Sequence, residues 1–190
     1  PQTSSQPVLA RQDETEYDVE HHGDTFYIRI NTEAPNFKLV AAPVAEAEDR
    51  TKWTEVIAHS PASFLADFDV FKNFLVLEER CDGLRQIRTI RWSDRQSTVL
   101  QFEDPVHVVY TGSNPEFETD ALRISYSSLT TPTSIFEHDM ASGSRRLLKQ
   151  DAVLGGFDSK NYVSERVWVT ARDGERVPVS IVMRRGFEKD

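Results

Sequence analysis

A β-rich pattern recurs in this sequence at a fixed interval. Strand-like apolar runs begin at Phe26, Phe74 and Leu122, and each run starts 48 residues after the one before it. A polar turn precedes each run, and turn-forming residues separate it from three other short β-rich runs in the same unit. Four strands in a unit of just under fifty residues is typical of a β-propeller blade.

The repeat predicts an all-β fold, a partial β-propeller of about three four-stranded antiparallel blades followed by a C-terminal β-hairpin. The predicted blades are residues 13–59, 60–103 and 104–152. Residues 1–12, with a short apolar run at residues 8–10, are interpreted as the outer strand of a preceding blade. A short helical turn at residues 61–65 is predicted to open the second blade.

The last part of the sequence, residues 153–190, does not follow the repeat. Residues 161–172 and 175–184 are long alternating β-runs, and Asp173 and Gly174 lie between them. An Asp-Gly pair between two such runs favours a two-residue hairpin turn with positive φ at both central positions. We therefore predict a separate hairpin that follows the third blade.

The charge balance limits the partners of the chain. Its 22 Lys and Arg residues and 31 Asp and Glu residues give a net charge of −9, which argues against nucleic acid and anionic membrane surfaces as partners. The sequence also lacks the run of about 18 or more apolar residues that marks a membrane-spanning helix. Residues 1–7 contain neither Met nor the basic and apolar regions of a signal peptide, so we expect the sequence to begin within a longer polypeptide.

The single cysteine and the five histidines offer little for metal binding or redox chemistry. Cys81 has no second cysteine with which to form a disulfide, which fits a cytoplasmic protein, with the periplasm as the alternative. His21 and His22 are adjacent and would point to opposite faces of a strand. No metal site and no cofactor are predicted.

Acidic side chains alternate along the first predicted strand of two blades. Asp18 and Glu20 lie in the first blade, and Asp67 and Asp69 lie in the second. The two-residue period of a strand places each pair on one face. If these strands are the innermost ones, the carboxylates would line a central channel and attract cationic peptides. The alternative, which the sequence leaves open, is that they meet only channel water.

Several segments resemble the prolyl oligopeptidase family of serine peptidases. The hairpin carries the most specific of them, at residues 161–162, 164–174 and 177–180. Residues 76–80, 126–132 and 148–150 also resemble the propeller of that family. The sequence departs from the family pattern in having two adjacent glycines at residues 155–156 and Met183 where an aromatic residue is expected.

The resemblance implies a seven-bladed propeller that caps an α/β-hydrolase domain and cleavage of short peptides after Arg or Lys by a Ser-Asp-His triad. The propeller would then admit short peptides and exclude folded proteins. The chain contains no Gly-x-Ser-x-Gly nucleophile motif, so we expect no catalytic residue in it and no activity in isolation. The hairpin would open the catalytic domain, and Gly155 and Gly156 would form part of the hinge between the domains.

One further expectation follows from an incomplete ring. Three blades cannot close a propeller, and closure protects the faces and edges of the blades. We therefore expect the isolated chain to self-associate, which light scattering would detect.

The alternative function is a β-propeller binding module without peptidase activity, and another peptidase specificity within the same family is a further alternative.

Overall fold

The computed structural model describes residues 7–188. These residues form fourteen strands, arranged as three four-stranded antiparallel sheets and one two-stranded hairpin. Each sheet contains four strands that are consecutive in the chain. The predicted all-β, blade-like architecture is therefore confirmed.

The first sheet pairs each strand with the next along the chain. Its strands are β1 (Tyr17–His22), β2 (Thr25–Ile30), β3 (Lys38–Pro43) and β4 (Thr54–Ile57). Two 3₁₀ turns, Val44–Glu46 and Arg50–Lys52, connect β3 to β4. Leu9 packs into the core of this sheet beside Ile28 and Val40.

The second and third sheets repeat this order. The second contains β5 (Ser63–Val70), β6 (Phe74–Cys81), β7 (Leu84–Arg91) and β8 (Ser97–Val99). The third contains β9 (His107–Thr111), β10 (Ala121–Ser128), β11 (Ser134–Asp139) and β12 (Arg145–Gln150). A 3₁₀ turn, Ser159–Asn161, precedes the hairpin of β13 (Tyr162–Thr170) and β14 (Arg176–Arg184).

Strand β6 explains how the sheets stack. Successive side chains of a strand point to opposite faces, and on β6 both faces are covered. Leu75 and Leu77 pack towards the first sheet, whereas Phe74 and Val76 pack with side chains of the third sheet. A continuous apolar run is what a strand buried on both faces requires, and the sequence of β6 begins with four apolar residues.

The predicted helical turn at residues 61–65 is wrong. Ser63 already belongs to β5, where it is opposite Cys81 of β6. The backbone of Leu65 is also tied to the first sheet, because its N–H donates to the carbonyl oxygen of Asn36 at 3.0 Å and its own carbonyl accepts from Arg29. These bonds to a neighbouring sheet hold the segment extended and override the local preference for a turn.

The hairpin turn also differs from the prediction. Gly174 has a φ of +90°, whereas Asp173 is not among the residues with positive φ. The N–H of Gly174 donates to the carbonyl of Ala171, and the N–H of Ala171 donates to the carbonyl of Glu175. The connection is therefore a three-residue loop in which a left-handed glycine follows an ordinary turn, the next most common hairpin class.

The strand predicted at residues 8–10 forms no ladder with the described residues. Residues 1–6 of the same predicted segment lie outside the described residues. An outer strand of a preceding blade would find its ladder partners elsewhere, so the assignment of residues 1–12 to that blade stays a prediction. Across residues 7–188 there is no helix with the length and apolar character needed to cross a membrane.

Candidate functional site

The carboxylates singled out in the sequence lie where the first two sheets meet. Asp18 and Glu20 are on β1, and Asp67 and Asp69 are on β5, the first strand of the next sheet. Strands β1 and β5 contact each other but belong to separate ladders. Their side chains, and not backbone hydrogen bonds between the two strands, therefore determine how closely these strands approach.

Asp18 differs from the other three carboxylates because it forms an ion pair with an arginine. It lies opposite Arg29 in the β1–β2 ladder, and its Oδ2 accepts from Arg29 Nη1 at 2.5 Å. Arg29 is buried; its Nε donates to the Leu65 carbonyl at 2.8 Å, and its guanidinium lies 3.6 Å from the centre of the Phe37 ring. Arg29 thus joins the first sheet to the second, and Asp18 balances its charge.

Glu20, Asp67 and Asp69 form an acidic cluster across the two sheets. Burial raises the pKa of Asp69 to about 6, with the negative charges of Asp67 and Glu20 as the next causes. A side-chain hydrogen bond with Thr111 of β9 acts in the opposite direction. Burial, followed by the charge of Asp67, also raises the pKa of Glu20. The structure therefore brings together three of the four predicted carboxylates.

A groove opens beside this cluster. Its volume is about 530 Å³, and it is lined by Glu20 and His21 of β1, Asp69 of β5 and Phe117 from the loop before β10. The lining combines carboxylates with an aromatic ring, which suits a ligand with a cationic head and an apolar stem. The groove reaches from the first sheet to the third, so its shape depends on the packing of all three.

Two buried glutamates that the sequence analysis did not single out stabilise the second sheet. Glu79, 5% exposed, accepts from Arg88 Nε at 2.8 Å and from Arg88 Nη2 at 2.5 Å. Glu78, also buried, accepts from the N–H and the hydroxyl of Thr111 at 2.5 and 2.6 Å and pairs with Arg85 at 3.2 Å. The sequence did contain a signal for these ion pairs, because two acidic residues follow an apolar run and basic residues follow the Asp82-Gly83 turn.

The family follows from a match over most of the chain. Residues 1–151 match the family described as prolyl oligopeptidase, N-terminal beta-propeller domain. The chain belongs to the prolyl oligopeptidase family. The resemblance noted from the hairpin and propeller segments is thereby confirmed.

Individual relatives agree with this family assignment. The chain is 39% identical over 186 residues to dipeptidyl aminopeptidase BI of Pseudoxanthomonas mexicana, covering 96% of this chain and 25% of that protein. It is 29% identical to Protease 2 of Moraxella lacunata, covering 98% and 26%. The structure of oligopeptidase B from Trypanosoma brucei with covalently bound antipain, in its closed form, superposes with a TM-score of 0.83 at 34% identity, covering 95% and 27%. The chain thus spans about a quarter of the length of these relatives.

The predicted hinge residues lie just beyond the segment that matches the family domain. Gly155 and Gly156 have φ of +90° and +76°, a backbone conformation that residues other than glycine rarely adopt. A Cβ added at either position would meet no atom within 4 Å, so backbone conformation and not crowding requires glycine there. Leu154 beside them is 93% exposed. Their role as a hinge stays a prediction.

The cysteine and the histidines are not gathered into a reactive site. Within residues 7–188 no group of three or more His, Cys, Asp or Glu residues could hold a metal ion. Cys81 Sγ donates to Ser63 Oγ at 3.2 Å and accepts from Gln86 Nε2 at 3.2 Å. His138 is buried, and burial is the main cause that lowers its pKa. These side chains contribute to packing between strands.

Proposed function

We propose that this chain is the propeller portion of a serine oligopeptidase that cleaves short peptides after Arg or Lys. The observation that carries the proposal is the match of residues 1–151 to the N-terminal propeller domain of the prolyl oligopeptidase family. The similarity to oligopeptidase B supports the choice within the family. The chain contains no Gly-x-Ser-x-Gly motif, so we assign it no catalytic residue.

The propeller would select substrates by size. Each sheet completes its own ladder, and buried apolar clusters fill the space between neighbouring sheets. In the complete propeller, the first strands of such sheets would line a narrow central path that admits an extended peptide and excludes a folded domain. Hydrolysis itself would then take place in a catalytic domain that the propeller covers.

The first test uses the full encoded polypeptide that contains this chain. We expect it to hydrolyse short peptides after Arg or Lys with a kcat/KM about a hundredfold or more above that for matched peptides with Pro or Glu at the same position. A folded protein with an exposed Arg–X bond should remain intact, and the isolated 190-residue chain should hydrolyse none of these substrates. Preference for Pro, or digestion of the folded protein at a similar rate, would contradict the proposal.

The acidic cluster would assist this activity by attracting basic peptides. Glu20, Asp67 and Asp69 carry negative charge beside a groove, and clefts lined by one sign of charge raise the local concentration of oppositely charged substrates. Asp18 would contribute less, because Arg29 neutralises it. The proposal therefore places substrate attraction on three of the four carboxylates.

Replacing Asp67 and Asp69 together by Asn tests this steering in the full polypeptide. We expect kcat/KM for basic peptides to fall about threefold to tenfold at low ionic strength, with kcat nearly unchanged, because steering acts on association. The difference should shrink as salt is added, since screening weakens it. The double change Glu46→Gln and Glu55→Gln, at exposed residues of the β3–β4 connection and of β4, removes the same number of charges and is the control for net charge. An unchanged salt dependence in the double variant would exclude steering.

A further inference from the structure

The contact between β1 and β5 has an unusual composition for a junction between two sheets. Elsewhere the sheets meet through apolar clusters and through charges with partners, as where Arg29 binds the Leu65 carbonyl. At this junction β1 and β5 contact each other, and Glu20 of β1 and Asp69 of β5 line the same groove. Asp67 of β5 acts electrostatically on both, so all three side chains concerned are acidic. The junction therefore combines partial burial with like charge.

The groups around Asp69 offer it little compensation. The charges that act on it most strongly come from Asp67 on its own strand, Glu20 on β1 and Glu78 on β6. Thr111 of β9 offers an uncharged hydroxyl, and that hydroxyl also donates to Glu78. His21 of β1 lines the same groove.

Two arginines on the neighbouring strands β2 and β7 bind other carboxylates. Arg29 pairs with Asp18 at 2.5 Å, and Arg85 pairs with Glu78 at 3.2 Å. The negative charge of the Glu20–Asp67–Asp69 cluster is thus balanced by neither of these two side chains. Binding a proton is the simplest remaining way to reduce the repulsion between β1 and β5.

We propose that the Glu20–Asp67–Asp69 cluster is a proton-operated contact between the first two sheets. With a proton bound, a neutral carboxyl lets β1 and β5 stay together. With all three groups ionised, their repulsion loosens the two strands. This device depends on the fold alone and does not require the proposed peptidase activity.

The expected pH range follows from Asp69. Its pKa is raised from 3.8 to about 6, so the folded contact holds a proton that the opened one releases. A raised folded pKa gives stability that is present at low pH and is lost as the pH rises through about 6. The contact should therefore be tighter at pH 5 than at pH 7.5, the opposite of a carboxylate held by a cation.

Hydrogen–deuterium exchange of the full encoded polypeptide tests the proposal at the two strands concerned. After correction for intrinsic rates, we expect the protection of peptides covering β1 and β5 to fall about threefold to tenfold between pH 5 and pH 7.5. Peptides covering β14 of the C-terminal hairpin, a strand with no carboxylate and no histidine, should not show this change. Asp69→Asn should remove most of the pH dependence at β1 and β5, and Glu55→Gln should preserve it.

Glu20→Gln provides a second variant on the opposite strand. It should also reduce the pH dependence of protection at β1 and β5. If Asp69→Asn lowers protection at every pH through a folding defect, Glu20→Gln becomes the test of the proposal. The proposal is overturned if the wild-type protection of β1 and β5 does not change with pH. It is equally overturned if the change persists in Asp69→Asn with its fold intact, or in Glu20→Gln when the first variant is defective.

Discussion

Replacing Glu79 by Ala is expected to lower the free energy of unfolding by about 2–4 kcal/mol, because it leaves the guanidinium of Arg88 in the sheet without its partner. The pair is bidentate, with N···O distances of 2.8 and 2.5 Å. Bidentate hydrogen bonds between ionised groups are stronger than hydrogen bonds between neutral groups. Urea unfolding followed by tryptophan fluorescence would measure the loss.

A double variant distinguishes the cost of leaving a charge unpaired from a requirement for the ion pair itself. Replacing both Glu79 and Arg88 by Leu should recover most of the loss, since an apolar pair of similar volume leaves no unpaired charge. Glu137→Ala is the matched control, because its pair with Arg146 is exposed and should contribute less than about 1 kcal/mol. Equal losses for Glu79→Ala and Glu137→Ala would show that burial of the pair does not matter.

Leu122→Ala is expected to lower the free energy of unfolding by about 2–5 kcal/mol, the range for a leucine deleted from a close-packed core. Leu122 is 0% exposed and belongs to the apolar cluster that joins the second sheet to the third, together with Val76 and Ile87. The truncation leaves a cavity between two sheets that belong to separate ladders. Thermal or urea unfolding of the chain would give the value.

Leu147→Ala makes the same chemical change at an exposed site of the third sheet. Leu147 is 49% exposed on β12, so its loss should cost less than about 0.5 kcal/mol. The contrast isolates packing between sheets from the effect of leucine on strand formation. If the two variants were equally stable, the cluster around Leu122 could not be the main connection between these sheets.

The sequence predicted the strands well because their signals are local. Alternation, turn residues and the 48-residue interval place all twelve strands of the three sheets near their observed positions. The two errors, at residues 61–65 and at the turn of Gly174, arise where non-local bonds or an added loop residue decide the backbone. Leu65 is held extended by bonds to the first sheet, and no pattern within residues 61–65 records those bonds.

The candidate site was only partly predictable for a similar reason. The two-residue period placed Asp67 and Asp69 on one face of β5, because facing within a strand is a local property. Their approach to Glu20 depends on how the first two sheets pack, which no periodicity records. The period could not distinguish Asp18, whose neutralisation depends on the register that sets it opposite Arg29. The bond from Thr111 to Glu78 was still less accessible, because it depends on how one sheet packs on the next.

The separate ladders of the three sheets have a consequence for evolution. A duplicated segment of 48 residues would bring with it a full set of backbone partners, so it would need only side chains that fit the faces of its new neighbours. Adding or deleting a single strand would instead leave unpaired donors and acceptors along an edge. Proteins with this architecture should therefore change their length in whole units far more readily than in strands.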